Sequence, residues 1–303
     1  MSRIVFTMVT AVLLAATVSV AQAAPLKVAA TIFPLADMVR QIGGERVAVT
    51  TIIPAGASEH TYEPTSSQMR QVAGAVLYVK VGAGMDDWTE RLIKAAHKPP
   101  LTVSVTSGVR LMRTAEQELL GHGEEEEHHH PGDDPHVWID PILVRDTVVP
   151  RLTDALVKLS PADASFFRGN AKRFQQELTR LDQEMRQGVA GLKKREFIAL
   201  HSAWAYMAKR YGLRQVAAVE TFPGKEPSAR YLVELVKMAR KHGVSTIFAE
   251  PQLSNKAAQV IAREIKGTVL LLDPIGGENI AGRNSYLALM RYNLSQIVRG
   301  MGK

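Results

Sequence analysis

From Ser160 to Val189 the chain carries one sustained helical pattern, and it divides everything else into two parts. Ser160-Pro161-Ala162-Asp163 reads as a helix start, with a serine cap, proline in the first turn and an acid three residues on. Phe167, Ala171, Phe174, Leu178, Leu181, Met185 and Val189 then recur at three or four residues, the spacing of one buried stripe. Such a helix of about 28 residues would be about 42 Å long. It is expected to be a rigid strut, residues 160–190, between two domains, rather than a long helix packed within one.

On both sides of the strut, short β-branched runs alternate with helical runs, which predicts βα units and parallel sheets. Before it, strands are expected at Leu26 to Ala30, Val47 to Ile53, Val76 to Val81 and Leu101 to Val105. Helices are expected at Leu35 to Ile42, Ser66 to Val72, Trp88 to Ala96 and Ile142 to Leu159, the last broken or kinked at Pro150. After it, strands are expected at Phe197 to Leu200, Val216 to Val219, Ser245 to Ala249 and Thr268 to Leu272. Helices follow at Ala203 to Tyr211, Tyr231 to His242, Ser254 to Ile265 and Ser285 to Val298. The expected fold is α/β: an N-terminal lobe (24–159), the linker helix, and a C-terminal lobe (191–303), each of about four βα units. Residues 116–134 break the pattern, being polar and rich in Gly, Glu and His.

Arg3, the apolar run Ile4 to Val20 and the small-residue site Ala21-Gln22-Ala23 read as a cleaved export signal, residues 1–23. The apolar run is at the short end for a membrane anchor. The sequence contains no cysteine. That argues against a lipid anchor on an N-terminal cysteine, points to a soluble periplasmic protein with no stable membrane insertion, and leaves only nitrogen and oxygen to hold a metal. The net charge of +7 is dispersed in short clusters without an aromatic platform, so nucleic acid is not an expected partner. Gly82-Ala83-Gly84 lacks the third glycine of a dinucleotide fingerprint.

Ligands of α/β folds gather at the carboxyl ends of the strands. His60 lies in the loop after the second strand, His201 directly follows the fifth, and Asp273 follows the eighth. His136 follows the fourth through the polar loop, in Asp134-Pro135-His136-Val137-Trp138-Ile139-Asp140-Pro141. Two candidates come from each half, so a metal held by all four would sit between the lobes. Three imidazoles and a carboxylate suit tetrahedral Zn²⁺; manganese prefers a more carboxylate-rich set. Glu59 is the alternative to Asp273 as fourth ligand. Glu59, Glu63 and Glu250 are candidates to orient the imidazoles, and Tyr62, Trp138 and Trp204 to wall the site. The run His122 to His130, with four glutamates inside it, is expected to capture metal weakly, since nothing preorganises it.

Taken in order, these stretches resemble a known family. His60 with Tyr62-Glu63-Pro64, the Asp134 to Pro141 run, His201 with Tyr211-Gly212-Leu213, Phe248-Ala249-Glu250-Pro251-Gln252 and Asp273-Pro274-Ile275-Gly276 are similar to the metal-binding solute-binding proteins of zinc/manganese ABC importers (cluster A-I, or cluster 9). The resemblance implies two (β/α)4 lobes joined by one long helix, metal in the cleft, and a periplasmic carrier that docks on an inner-membrane ABC permease. Within that family a histidine at the third ligand position, here His201, goes with zinc, and the His-rich loop resembles the zinc members. In some relatives a glutamate at the position of Glu59 competes as fourth ligand.

The expected function is therefore a non-enzymatic carrier of Zn²⁺, with a manganese or iron carrier of the same family as the alternative. A zinc-dependent hydrolase lacks support from any His-Glu-x-x-His pair, and a surface adhesin on the same fold is a further alternative.

Overall fold

The computed structural model describes residues 24–95, 98–113 and 133–302. The export-signal reading (1–23) and most of the polar loop, including His122 to His130, lie outside the described residues.

Among the described residues two four-stranded sheets form, and every pairing between their strands is parallel. The first contains β1 (Leu26–Ala30), β2 (Val47–Thr51), β3 (Leu77–Lys80) and β4 (Leu101–Ser104), in the order β2-β1-β3-β4. The second contains β5 (Glu196–Ala199), β6 (Arg214–Ala218), β7 (Thr246–Ala249) and β8 (Thr268–Leu271), in the order β6-β5-β7-β8. Each sheet therefore has a switch point, between β1 and β3 and between β5 and β7, where successive crossovers leave in opposite directions and a crevice opens at the carboxyl ends. The continuous apolar runs are buried on both faces only in part. The inner strands β3 and β7 are fully buried, while the edge strands β2 and β4 alternate or stay half-buried.

The strut is observed at Ala164–Ala190, 27 residues, or about 40 Å. Its entry differs from the expected cap. Pro161–Asp163 form a 3-10 turn, and the Ser160 hydroxyl donates to the Asp163 carboxylate at 2.7 Å rather than accepting from the helix backbone. The expected stripe is buried throughout, joined by Asn170 and Asp182. Phe167, Phe174, Leu178, Leu181 and Met185 enter one continuous core with Leu35 and Trp138 on one side and Trp204, Phe248 and Tyr286 on the other. At the C-terminal end Gly188 admits the helix Tyr286–Met301 closely: a Cβ there would lie 2.8 Å from Leu294 Cδ1.

Pro150 does not break its helix. Residues 141–159 remain helical, but Val144–Val148 is a π turn directly before Val149–Leu159. Widening the turn gives the proline ring room against the preceding carbonyl and absorbs its missing N–H.

Cross-lobe hydrogen bonds fix the two sheets to each other. The Trp138 indole N–H donates to the Pro274 carbonyl at 2.8 Å, and the Tyr286 hydroxyl donates to the Trp138 carbonyl at 2.7 Å. The Tyr286 amide donates to Asp37 at 2.8 Å, and Arg210 pairs with Asp140 through Nε and Nη2 at 2.7–3.0 Å. All but Arg210 are buried, so each bond also satisfies a group that water cannot reach.

Candidate metal centre

The crevice between the two sheets collects one histidine from each of three loops. His60 follows β2 in a tight turn in which the Thr61 and Tyr62 amides both donate to the Ser58 carbonyl. The Ser58 hydroxyl accepts from the His60 amide at 3.3 Å, so the imidazole is aimed by its own loop. His136 begins the 3-10 turn Val137–Ile139, behind Pro135, and its ring lies 5.1 Å from that of Trp138. His201 lies two residues beyond β5, and its carbonyl accepts from Gln215 at 3.0 Å.

The three imidazoles converge. His60 Nε2 lies 3.2 Å from His136 Nε2, which lies 3.3 Å from His201 Nε2, and the three ring centroids are 5.1–5.2 Å apart. Two zinc–nitrogen bonds of about 2.0–2.1 Å at a tetrahedral angle put their nitrogens about 3.3 Å apart, so this spacing fits one shared ion.

The fourth member of the cluster is Glu59. One ligand atom from each of Glu59, His60, His136 and His201 lies within 4.8 Å of the others. Glu59 is 3% exposed, and its Oε1 has no hydrogen-bond partner, a costly state for a buried carboxylate oxygen unless a cation is meant to meet it. Asp273, the expected fourth ligand, lies two residues beyond β8 and is not among these four. Its carboxylate pairs with Arg283 at 2.7 Å and accepts from Gln252 and from the Ile275 and Gly276 amides.

Two of the imidazoles are held from behind by buried carboxylates. His201 Nδ1 meets Glu250 at 2.7 Å, and His136 Nδ1 meets Asp134 Oδ1 at 2.7 Å. Each contact leaves Nε2 facing the crevice. Glu250 was legible in the sequence as a supporting residue, but Asp134 was not. Its signal is the Asp-Pro-His spacing, which lets Asp134 Oδ1 also accept from the His136 amide at 2.9 Å. Glu63, the other supporting candidate, is exposed. Of the aromatic candidates, Trp138 and Trp204 are fully buried, whereas Tyr62 is half-buried and donates to Gln68 at 2.7 Å.

The metal-free electrostatics are polarised. Burial pushes the His60 imidazole well below its usual range, and the neighbouring charges of His201 and His136 push it further. Burial would also lower His201, but the Glu250 carboxylate, aided by Glu59 and Asp134, outweighs it and pushes the imidazole up to about 9. Burial raises Glu59, partly offset by His201 and His136. The site thus holds a proton that a cation can displace.

Asp134→Asn is expected to weaken metal binding by about 10–100-fold, the usual cost of removing a ligand's carboxylate support. Isothermal calorimetry on the folded variant checks this, and undiminished affinity would remove Asp134 from the site.

Two parallel sheets, one long connecting helix and an interlobe cluster of metal-ligating side chains mark the cluster A-I class of metal-binding proteins of ABC importers. The family profile described as "ZnuA: Zinc-uptake complex component A periplasmic" matches residues 28–300, and the chain belongs to this family. It is 31% identical over 278 residues to the high-affinity zinc uptake system protein ZnuA of Bacillus subtilis (strain 168), covering 90% of this chain and 86% of that protein. It is 29% identical over 276 residues to the zinc-binding lipoprotein AdcA of Streptococcus pneumoniae (strain ATCC BAA-334 / TIGR4), covering 90% of this chain but only 55% of that longer protein. A crystal structure of ZnuA superposes with a TM-score of 0.79 at 28% identity, covering 91% of this chain and 99% of that one. The family is one of solute-binding transport proteins, not enzymes, and its partners are a metal ion and an ABC transporter. Among the described residues no helix is long and apolar enough to cross a membrane.

Proposed function

We propose that this protein captures Zn²⁺ in the periplasm with His60, His136 and His201 as three ligands and Glu59 as the fourth, and hands the ion to an inner-membrane ABC permease for uptake. The observation that carries this reading is the set of three Nε2 atoms at tetrahedral-zinc spacing beside a buried, unpartnered carboxylate oxygen. Three neutral imidazoles and one carboxylate suit zinc better than manganese, which favours harder oxygen donors. The zinc-named relatives support the same choice. Residues 1–23 direct export and are removed. The run His122 to His130 gathers zinc loosely.

The test is calorimetric competition between Zn²⁺ and Mn²⁺ on protein lacking residues 116–132, which removes the weak sites of the loop and leaves Asp134 behind His136. One equivalent of zinc bound tightly, and not displaced by excess manganese, is the expected result. Tighter manganese binding would reassign the cargo.

A further inference from the structure

Asp273 is linked through neighbouring residues to both sides of the metal centre, and its own carboxylate is engaged. Gln252, two residues after the Glu250 that orients His201, donates to Asp273 Oδ1 at 2.7 Å. Pro274, the next residue, accepts from Trp138, whose ring packs on His136. A carboxylate offers about four lone-pair sites. Oδ1 accepts from Gln252, from the Ile275 amide at 3.1 Å and from the Gly276 amide at 2.9 Å, while Oδ2 takes Arg283 Nη1 at 2.7 Å.

The loop is folded to deliver that arginine. The Gly277 amide donates to the Arg283 carbonyl at 3.2 Å, and the Arg283 amide donates to the Ile280 carbonyl at 2.9 Å. Gly276 has φ 61°, and a Cβ there would sit 2.6 Å from the Arg283 carbonyl oxygen, so glycine is needed for the chain to return. The guanidinium is steadied over the Tyr292 ring, 4.8 Å from its centroid.

Building on the metal-site reading above, we infer that Arg283 is a specificity-determining positioning residue: it keeps Asp273 out of the metal's coordination sphere and so holds the centre at three imidazoles and one carboxylate. With Zn²⁺ and ionised Glu59 that set carries one positive charge. A freed Asp273 would add a second carboxylate, neutralise the site and raise the coordination number, both changes that favour manganese over zinc.

The test uses the full chain with Arg283→Ala, Arg283→Gln and Arg283→Lys. It reads the Mn²⁺-to-Zn²⁺ affinity ratio by competition, and the visible absorption of bound Co²⁺, which is strong when four-coordinate and weak at higher coordination. The alanine and glutamine variants are expected to raise the ratio by about tenfold or more, the scale of a second-sphere change, and to bleach the cobalt spectrum. Arg283→Lys should stay near native, and adding Asp273→Ala to either variant should restore the native ratio and spectrum. An unchanged ratio in folded Arg283→Gln, or a change that persists in the double variant, overturns the inference. Should the Arg283 variants not fold, Asp273→Asn in the native background decides: an unaltered cobalt spectrum supports a carboxylate outside the sphere, and an altered one overturns it. Loss of zinc binding by all of these proteins, native included, would instead count against the metal-site reading itself.

Discussion

Replacing His136 by alanine is expected to weaken zinc binding by about 10²–10³-fold. Zinc held by a full protein ligand set gains about 10–16 kcal/mol, so one of four ligands accounts for about 3–4 kcal/mol, or two to three decades. His136 is the most informative of the three, because its Nε2 is the common neighbour of the other two, 3.2 Å from His60 and 3.3 Å from His201. The substitution also strands Asp134, which is fully buried and has lost its imidazole partner. A folded His136→Ala protein is therefore needed, confirmed by its far-ultraviolet spectrum, before affinity is read by competition with a chelating dye. His242→Ala, far from the cluster in sequence and paired with Arg214 at 3.2 Å, serves as the control. Native affinity in folded His136→Ala would sink the site.

The second large effect is on pH. Only neutral imidazole coordinates. In the metal-free protein His201 titrates near 9, because the Glu250 pair overcomes its burial, so at pH 7.5 it carries a proton. His60 is depressed and carries none there. Zinc must expel the His201 proton, and binding should release about one proton per ion at pH 7.5, read as a buffer-dependent calorimetric enthalpy. The sign follows: affinity rises with pH up to the His201 titration and falls by about tenfold per pH unit below it, or about 300-fold from pH 7.5 to pH 5, more as other imidazoles charge. Glu250→Gln should flatten the upper part of this profile, since it removes the charge that raises His201. Equal affinity at pH 7.5 and pH 5 would exclude coordination by imidazole.

How far the sequence reached can be judged from particular residues. The strands were legible to within a residue or two because parallel sheets bury β-branched runs, and the strut was legible because a single stripe of apolar residues has one period. Strand ends also located the three histidines, since within each sheet the strands are parallel and their carboxyl ends share an edge. What the pattern could not supply was side-chain partnership. Asp273 and Glu59 are both loop carboxylates after strands. Only the folded loop shows that Arg283, ten residues on, and two backbone amides already occupy the first, while the second has an oxygen left bare. Asp134 escaped for the same reason: a carboxylate two residues before a histidine supports it only if the chain turns between them, as it does at Pro135. At Pro150 a general rule was overridden locally, because a π turn costs less than abandoning the helix under a buried face that includes Leu152 and Leu156.

The core that runs unbroken from Leu35 through the strut to Tyr286 has a thermodynamic corollary. Melting either half would bare to water the apolar interior that it shares with the other, although each sheet also packs a cluster of its own. An ion bound only in the native state lowers that state's free energy according to the ratio of its concentration to its dissociation constant. Here the gain reaches both halves through that shared interior rather than staying in the crevice. Cargo scarcity is thereby expected to shorten the protein's life, because the empty form opens more often to proteases in both halves.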